Sequence, residues 1–162
     1  MRARQWLADA GRVAAGSAAM VKHLLTSDRA DVGLGQVSAA SATVARGRAS
    51  RYDVTIASAR SEQTDVTLRI DIRAADVGAR ADGRYTSFAR RLAVEPRAST
   101  DVVVEYDWLE SAGFRIGGVS LPADDRWKGT RDRPGPYAVS AILFDGDGRR
   151  LDSVTVYQRL MP

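Results

Sequence analysis

The sequence predicts a mainly β chain: a single antiparallel β-sandwich of about seven strands over residues 52–162, preceded by an N-terminal helix and an extended linker. Three observations lead there. The spacing of apolar residues changes from three and four in the first 25 residues to two after Tyr52. Turn signals recur at intervals of roughly 8–15 residues through the second part, with no helical period between them. The excess positive charge sits in the first third of the chain.

The chain has 162 residues, 44% of them hydrophobic, which suffices for one packed domain and an extension. It has no cysteine and one histidine. Disulfides, thiol nucleophiles and thiolate metal sites are therefore excluded, and a Ser-His-Asp triad could be built only on His23.

In residues 1–25, Trp6, Leu7, Ala10, Val13, Ala14, Ala18, Val21, Leu24 and Leu25 recur at helical spacing and form one stripe. Arg4, Asp9, Arg12, Lys22 and His23 fall away from it, giving an amphipathic helix with a mostly basic polar face; Arg2 adds to that charge. Gly11 and Gly16 weaken the helix by roughly 1 kcal/mol each relative to Ala, so it needs a surface to lie on. Three surfaces are open: a membrane interface, a partner's groove, or the chain's own domain. The uncharged run Val13–Val21 is far too short to span a bilayer. Asp9 and Arg12 also interrupt what an export signal would require, which favours a membrane-peripheral, cytoplasmic placement. Export, with cleavage near Ala18, is the alternative.

Residues 26–51 show no period and include a small, polar run from Ser38 to Ser50, which reads as linker. Residues 1–51 together carry eight basic and three acidic side chains, a net +5, whereas residues 52–162 carry sixteen basic and seventeen acidic. A basic arm on a neutral body suits an anionic lipid surface, an acidic protein face or nucleic acid, the alternative being a solvated tail.

From Tyr52 onward the strands follow in order. Tyr52, Val54 and Ile56 alternate with polar residues. Val66, Leu68, Ile70 and Ile72 define the clearest strand, with Thr67, Arg69, Asp71 and Arg73 on its solvated face. A strand over 85–94 ends before Pro96. Val102, Val104, Tyr106 and Trp108 alternate next, and 114–121 is a weaker strand with a bulge or bend at Gly117-Gly118. A long polar loop spans 122–136. The strands 137–144 and 151–160 flank the turn Asp145-Gly-Asp-Gly-Arg149.

Gly135-Pro-Tyr-Ala-Val-Ser-Ala141 resembles the G-x-Y-x-C-x-A run of immunoglobulin-like domains, with Val139 at the cysteine position. The stretch 64–108, an alternating strand, a Pro-containing turn and then V-x-V-x-Y-x-W, is similar to bacterial immunoglobulin-like and fibronectin III-like accessory domains. The resemblance covers about residues 52–160. It implies that Tyr137 makes a corner on the penultimate strand, and that the body serves binding or spacing.

Candidate chemistry is sparse. Asp145, Asp147 and Asp152 suggest calcium, but Arg149 and Arg150 stand where oxygen ligands are wanted, so a turn is the better reading. Glu105, Asp107 and Glu110 near Trp108 suggest a glycosidase pair beside a stacking aromatic, against which stands a plain solvated strand face shared by Glu105 and Asp107. Trp127, among Asp124, Asp125, Arg126 and Lys128, is either an interaction hot spot or a cap on the sandwich. Ile142 and Phe144 make the strand 137–144 apolar on both faces, as if covered on both sides.

No phosphate loop, nucleophile elbow or zincin motif is present, so no cofactor, metal or small-molecule substrate is expected and nucleic acid is disfavoured. The expectation is a non-catalytic accessory or scaffolding subunit. Trp6, Leu7, Val13, Val21, Leu24 and Leu25, with Arg2, Arg4, Arg12 and Lys22, would attach it to a larger, membrane-associated assembly. Ile142, Phe144 and Trp127 would contact neighbouring subunits. The alternative is an exported ligand-binding module, with carbohydrate as a candidate ligand, using Trp108 and Trp127.

Overall fold

In the computed structural model the chain is mainly β, with two sheets and no helix among the described residues, which are 31–75, 85–108, 113–122, 124–125 and 133–162. The helix expected over 1–25 lies outside them. The strands are β1 (Val32–Ala39), β2 (Thr43–Val44), β3 (Ala49–Ser58), β4 (Thr64–Ala74), β5 (Tyr85–Val94), β6 (Ser99–Asp107), β7 (Phe114–Ile116), β8 (Val119–Leu121), β9 (Asp124–Asp125), β10 (Gly135–Phe144) and β11 (Arg150–Leu160). Sheet I has the order β1-β3-β6-β7-β8, and sheet II the order β2-β11-β10-β4-β5-β9. All the pairings are antiparallel except β2 with β11.

The expected alternations hold. Val66, Leu68, Ile70 and Ile72 are buried on β4, Tyr137, Val139, Ala141 and Leu143 on β10, and Val102, Val104 and Tyr106 on β6, with Trp108 just beyond its end. They meet Tyr52, Val54 and Ile56 of β3 in one core contributed by both sheets. Burial of this apolar area drives the fold, and aromatic geometry adds to it. Trp108 lies edge-on to Tyr137 at 4.4 Å and to Tyr106 at 4.7 Å between ring centroids. Such pairs contribute about 0.5–1.5 kcal/mol each beyond area burial.

Residues 32–51 correct the linker reading. Val32, Leu34 and Val37 of β1 are core residues, and β1 pairs with β3 from Val32↔Ser58 to Ala39↔Tyr52. The period was hidden because the register shifts between Leu34 and Val37 and because Gly33 and Gly35 carry no apolar side chain. After a short turn the chain crosses to the other sheet. There Thr43 and Val44 run parallel to Arg159 and Leu160, and Val44 is buried. The segment 114–121 is likewise two strands. Gly117 (φ 58) and Gly118 (φ 77) form a two-residue hairpin that demands left-handed backbone at both positions.

Polar contacts tie the two sheets together. At one edge the Leu34 N–H donates to Asp152 Oδ2 of β11 (3.0 Å). In the interior Trp108 Nε1 donates to Ser50 Oγ (2.7 Å), and Ser50 Oγ donates to Gln158 Oε1 (2.6 Å). The Tyr52 hydroxyl donates to the same Gln158 oxygen (2.7 Å), while Gln158 Nε2 donates to the Ser41 carbonyl (2.8 Å). All four of these side chains are buried, so each bond forms away from competing water. At the opposite edge Arg90 Nη1 donates to the carbonyls of Ile116 (2.8 Å) and Gly117 (3.2 Å), clamping the β7–β8 turn onto sheet II.

Candidate functional site

The residues with the strongest sequence signal for attachment, Trp6, Leu7, Val13, Val21, Leu24, Leu25, Arg2, Arg4, Arg12 and Lys22, lie outside the described residues, as does Trp127. The fold does redefine the arm. The first strand starts at Val32, so Arg46, Arg48 and Arg51 belong to the body, and the segment 1–30 carries five basic and two acidic side chains, a net +3 rather than +5.

On the outer face of sheet II the register aligns four strands. Tyr157, Ala138 and Arg73 form one row, Thr155, Ser140, Asp71 and Ser87 the next, and Ser153, Ile142, Arg69 and Ala89 a third. Ser140 and Thr155 share a hydrogen bond of 2.8 Å, and Ser87 donates to Asp71 (2.7 Å). Arg69 pairs with Asp71 (3.1 Å), and its guanidinium stacks over the Phe144 ring at 5.0 Å. Ile142 beside it is only 8% exposed. Arg69 thus supplies, from within the body, cover that Ile142 and Phe144 were expected to receive from elsewhere. Among the described residues, the large apolar side chain left open on this face is Tyr157, at 70% exposure.

The outer face of sheet I is acidic. Asp53, Asp101, Glu105 and Asp107 project from adjacent strands, with Arg51 and Arg115 directly opposite Glu105 on the two strands beside it. Glu105 and Asp107 are half-buried residues on the same face of β6. Asp101 accepts from Thr55 Oγ1 (2.8 Å), and Arg51 lies 3.5 Å from Asp53.

A hollow at one end of the body is lined by Asp31, Arg60, Glu62, Asp65, Asp145 and Asp147. Its carboxylates are largely committed. Asp145 Oδ1 accepts the N–H groups of Asp147 (2.9 Å) and Arg149 (2.8 Å) across the β10–β11 turn, with Gly148 at φ 80. Asp65 pairs with Arg91 (2.7 Å) and Asp31 with Arg60 (3.7 Å). Asp152, grouped with Asp145 and Asp147 in the sequence, points away into the core toward Leu34. Among the described residues no group of three or more His, Asp or Glu side chains is placed to hold a metal ion.

Trp108 is corrected as a ligand-stacking candidate: it is 1% exposed, with its N–H used internally. Burial pushes the Tyr52 phenol well above its usual range, and the Ser50 hydrogen bond offsets this only in part. That is the signature of a structural tyrosine, locked in its neutral form. Sequence reasoning missed Gln158 and read Asp152 as part of the turn, although both share the inward parity of Val154 and Leu160 on β11.

No protein-family model matches the chain, and no curated protein matches it in sequence. Among solved structures it is similar to the alkylpurine DNA glycosylase AlkC of Pseudomonas fluorescens bound to DNA containing an abasic-site analogue (TM-score 0.55, 15% identity, 82% of this chain and 31% of that one). It is also similar to a CARDB domain from Pyrococcus furiosus in complex with di-metal ions (TM-score 0.50, 11% identity, 85% and 96%). A third likeness is to a β-glucosidase of Erythrobacter marinus (TM-score 0.52, 16% identity, 80% and 15%). The chain thus spans under a third of both enzymes and nearly all of the CARDB domain. At these identities the likeness is one of fold.

Proposed function

We propose that the chain is an immunoglobulin-like β-sandwich serving as a non-catalytic accessory or scaffolding subunit. Its N-terminal segment fastens it to a larger, membrane-peripheral assembly of protein subunits beside an anionic lipid surface. Two features favour the immunoglobulin-like reading. The Tyr137 hydroxyl donates to the Arg133 carbonyl four residues upstream, the tyrosine corner of that fold. The chain also passes from β1 in sheet I to β2 in sheet II, so that both sheets share the N-terminal strand.

The observation that carries the accessory reading is a division of chemistry. Asp145, Asp65 and Asp152 of the body are spent on a turn, an ion pair and a sheet tie, while the apolar stripe and a net +3 lie in residues 1–30. Near an anionic surface each basic side chain contributes about 1 kcal/mol, so the segment favours anionic over neutral lipid by about 3 kcal/mol, roughly a hundredfold. The test is flotation of the full chain with vesicles containing about one-third phosphatidylglycerol, against pure phosphatidylcholine. Co-flotation with the anionic vesicles supports the reading, and a protein that stays at the bottom of both gradients refutes the membrane-surface part of it.

A further inference from the structure

The turn between β10 and β11 holds two Asp-Gly pairs in succession, Asp145-Gly146 and Asp147-Gly148, and the fold treats them oppositely. An aspartate followed by glycine is prone to close on itself, because no side chain hinders the glycine amide nitrogen from approaching the carboxyl carbon. Asp145 is held against such closure. Its Oδ1 accepts the N–H groups of Asp147 (2.9 Å) and Arg149 (2.8 Å), and its own N–H donates to the Arg149 carbonyl (2.9 Å). Both bonds to the carboxylate are charge-assisted, and both must break before its Cγ can swing toward Gly146.

Asp147 has no such restraint. Its side chain is exposed and, among the described residues, its carboxylate makes no hydrogen bond or ion pair. Gly148 stands at φ 80, and nothing lies within 4 Å of where its Cβ would be. The Gly148 N–H is engaged by one neutral bond, to the Asp145 carbonyl at 3.1 Å, the longest of those that close the turn. Releasing that bond frees the nitrogen, at less cost than the two charge-assisted bonds that hold Asp145.

We propose that Asp147 is a site of spontaneous isomerisation to isoaspartate, and that Asp145, two residues away, is protected from it. The Gly148 amide nitrogen attacks Cγ of Asp147; the N–Cγ bond forms, the C–OH bond breaks, and the amide proton and hydroxyl leave as water. Water then opens the cyclic imide. Cleavage at Cγ restores aspartate, whereas cleavage at the original main-chain carbonyl leaves the backbone running through Cγ. The one co-reactant is the water released in the first step and taken up in the second. The product adds a methylene between Asp147 and Gly148, and so between the two N–H donors that Asp145 Oδ1 bridges. Isomerisation therefore loosens the β10–β11 hairpin. The inference is independent of how the chain is attached.

The test keeps the full-length protein at neutral pH and physiological temperature for several weeks, beside the same chain unfolded in guanidinium chloride. Peptides from both are then mapped by electron-transfer fragmentation, which separates isoaspartate from aspartate at each position. In the folded protein isoaspartate should build up at 147 several-fold faster than at 145. In the unfolded chain, where Asp145 has lost its donors, the two rates should converge. Equal rates in the folded protein, faster reaction at 145, no isoaspartate at 147, or a bias that survives unfolding would each overturn the proposal. Asp147→Glu keeps the charge but lengthens the side chain by a methylene, which disfavours ring closure, so isomerisation at 147 should be lost with the fold unchanged. A turn peptide that still isomerises at 147 in that variant would contradict the assignment.

Discussion

Ser50→Ala removes the one hydroxyl through which Trp108 and Gln158 are joined. In the wild type Ser50 Oγ accepts from Trp108 Nε1 at 2.7 Å and donates to Gln158 Oε1 at 2.6 Å. The variant strands the Trp108 N–H in a site where Trp108 and Ser50 are each 1% exposed. An orphaned buried donor costs about 1–3 kcal/mol, and the lost Ser50–Gln158 bond adds about 0.5–1 kcal/mol. Tyr52→Phe is the internal comparison. It removes the 2.7 Å bond to Gln158 Oε1, but that oxygen keeps Ser50, and no donor is orphaned. Its cost is about 1 kcal/mol. Urea unfolding followed by tryptophan fluorescence should therefore rank Ser50→Ala, at about 2–3 kcal/mol, clearly below Tyr52→Phe in stability, with unchanged m-values. A Tyr52→Phe loss equal to or greater than that of Ser50→Ala would refute the reasoning, since the orphaned indole N–H would then cost nothing.

Tyr137→Phe deletes the hydroxyl bonded to the Arg133 carbonyl and should cost about 0.5–1.5 kcal/mol in the same assay. Gly117→Ala places a Cβ 2.6 Å from Arg90 Nη1 on a backbone at φ 58, so it should destabilise by about 2 kcal/mol, whereas Gly146→Ala, which meets nothing within 4 Å, should cost well under half of that. The raised Tyr52 phenol predicts an alkaline limb. The unfolded tyrosine loses its proton above about pH 10 while the folded one keeps it, so stability contributed by the neutral form is intact below that pH and falls above it. The slope for one group is at most about 1.4 kcal/mol per pH unit, and Tyr52→Phe should flatten it by that amount.

Parity explains both what could be read from the sequence and what could not. Val66, Leu68, Ile70 and Ile72 alternate without interruption, and the strand they predict is β4. Tyr137 and its inward neighbours gave the face of β10 correctly. Strand β1 escaped because its register shift places Val37 out of step with Val32 and Leu34, and two glycines dilute the pattern further. Trp108 was a candidate for ligand stacking by residue type alone, although it shares the inward parity of Val102, Val104 and Tyr106. Asp152 was weighed only as a calcium or turn residue, and Gln158 drew no reading: a buried polar group is recognisable only with its partner, and Leu34 lies 118 residues from Asp152. Arg69 shielding Phe144 likewise depends on a pairing between β4 and β10 that no local pattern encodes.

The central claim is that attachment resides in residues 1–30 and not in the body. Its most direct measurement compares the full-length protein with a full-length Trp6→Asp/Leu24→Asp variant by flotation on anionic vesicles, with thermal melts recorded for both. The account predicts that the wild type floats, that the variant remains at the bottom, and that the two melt at the same temperature. A variant that floats as well as the wild type would place attachment elsewhere and contradict the account.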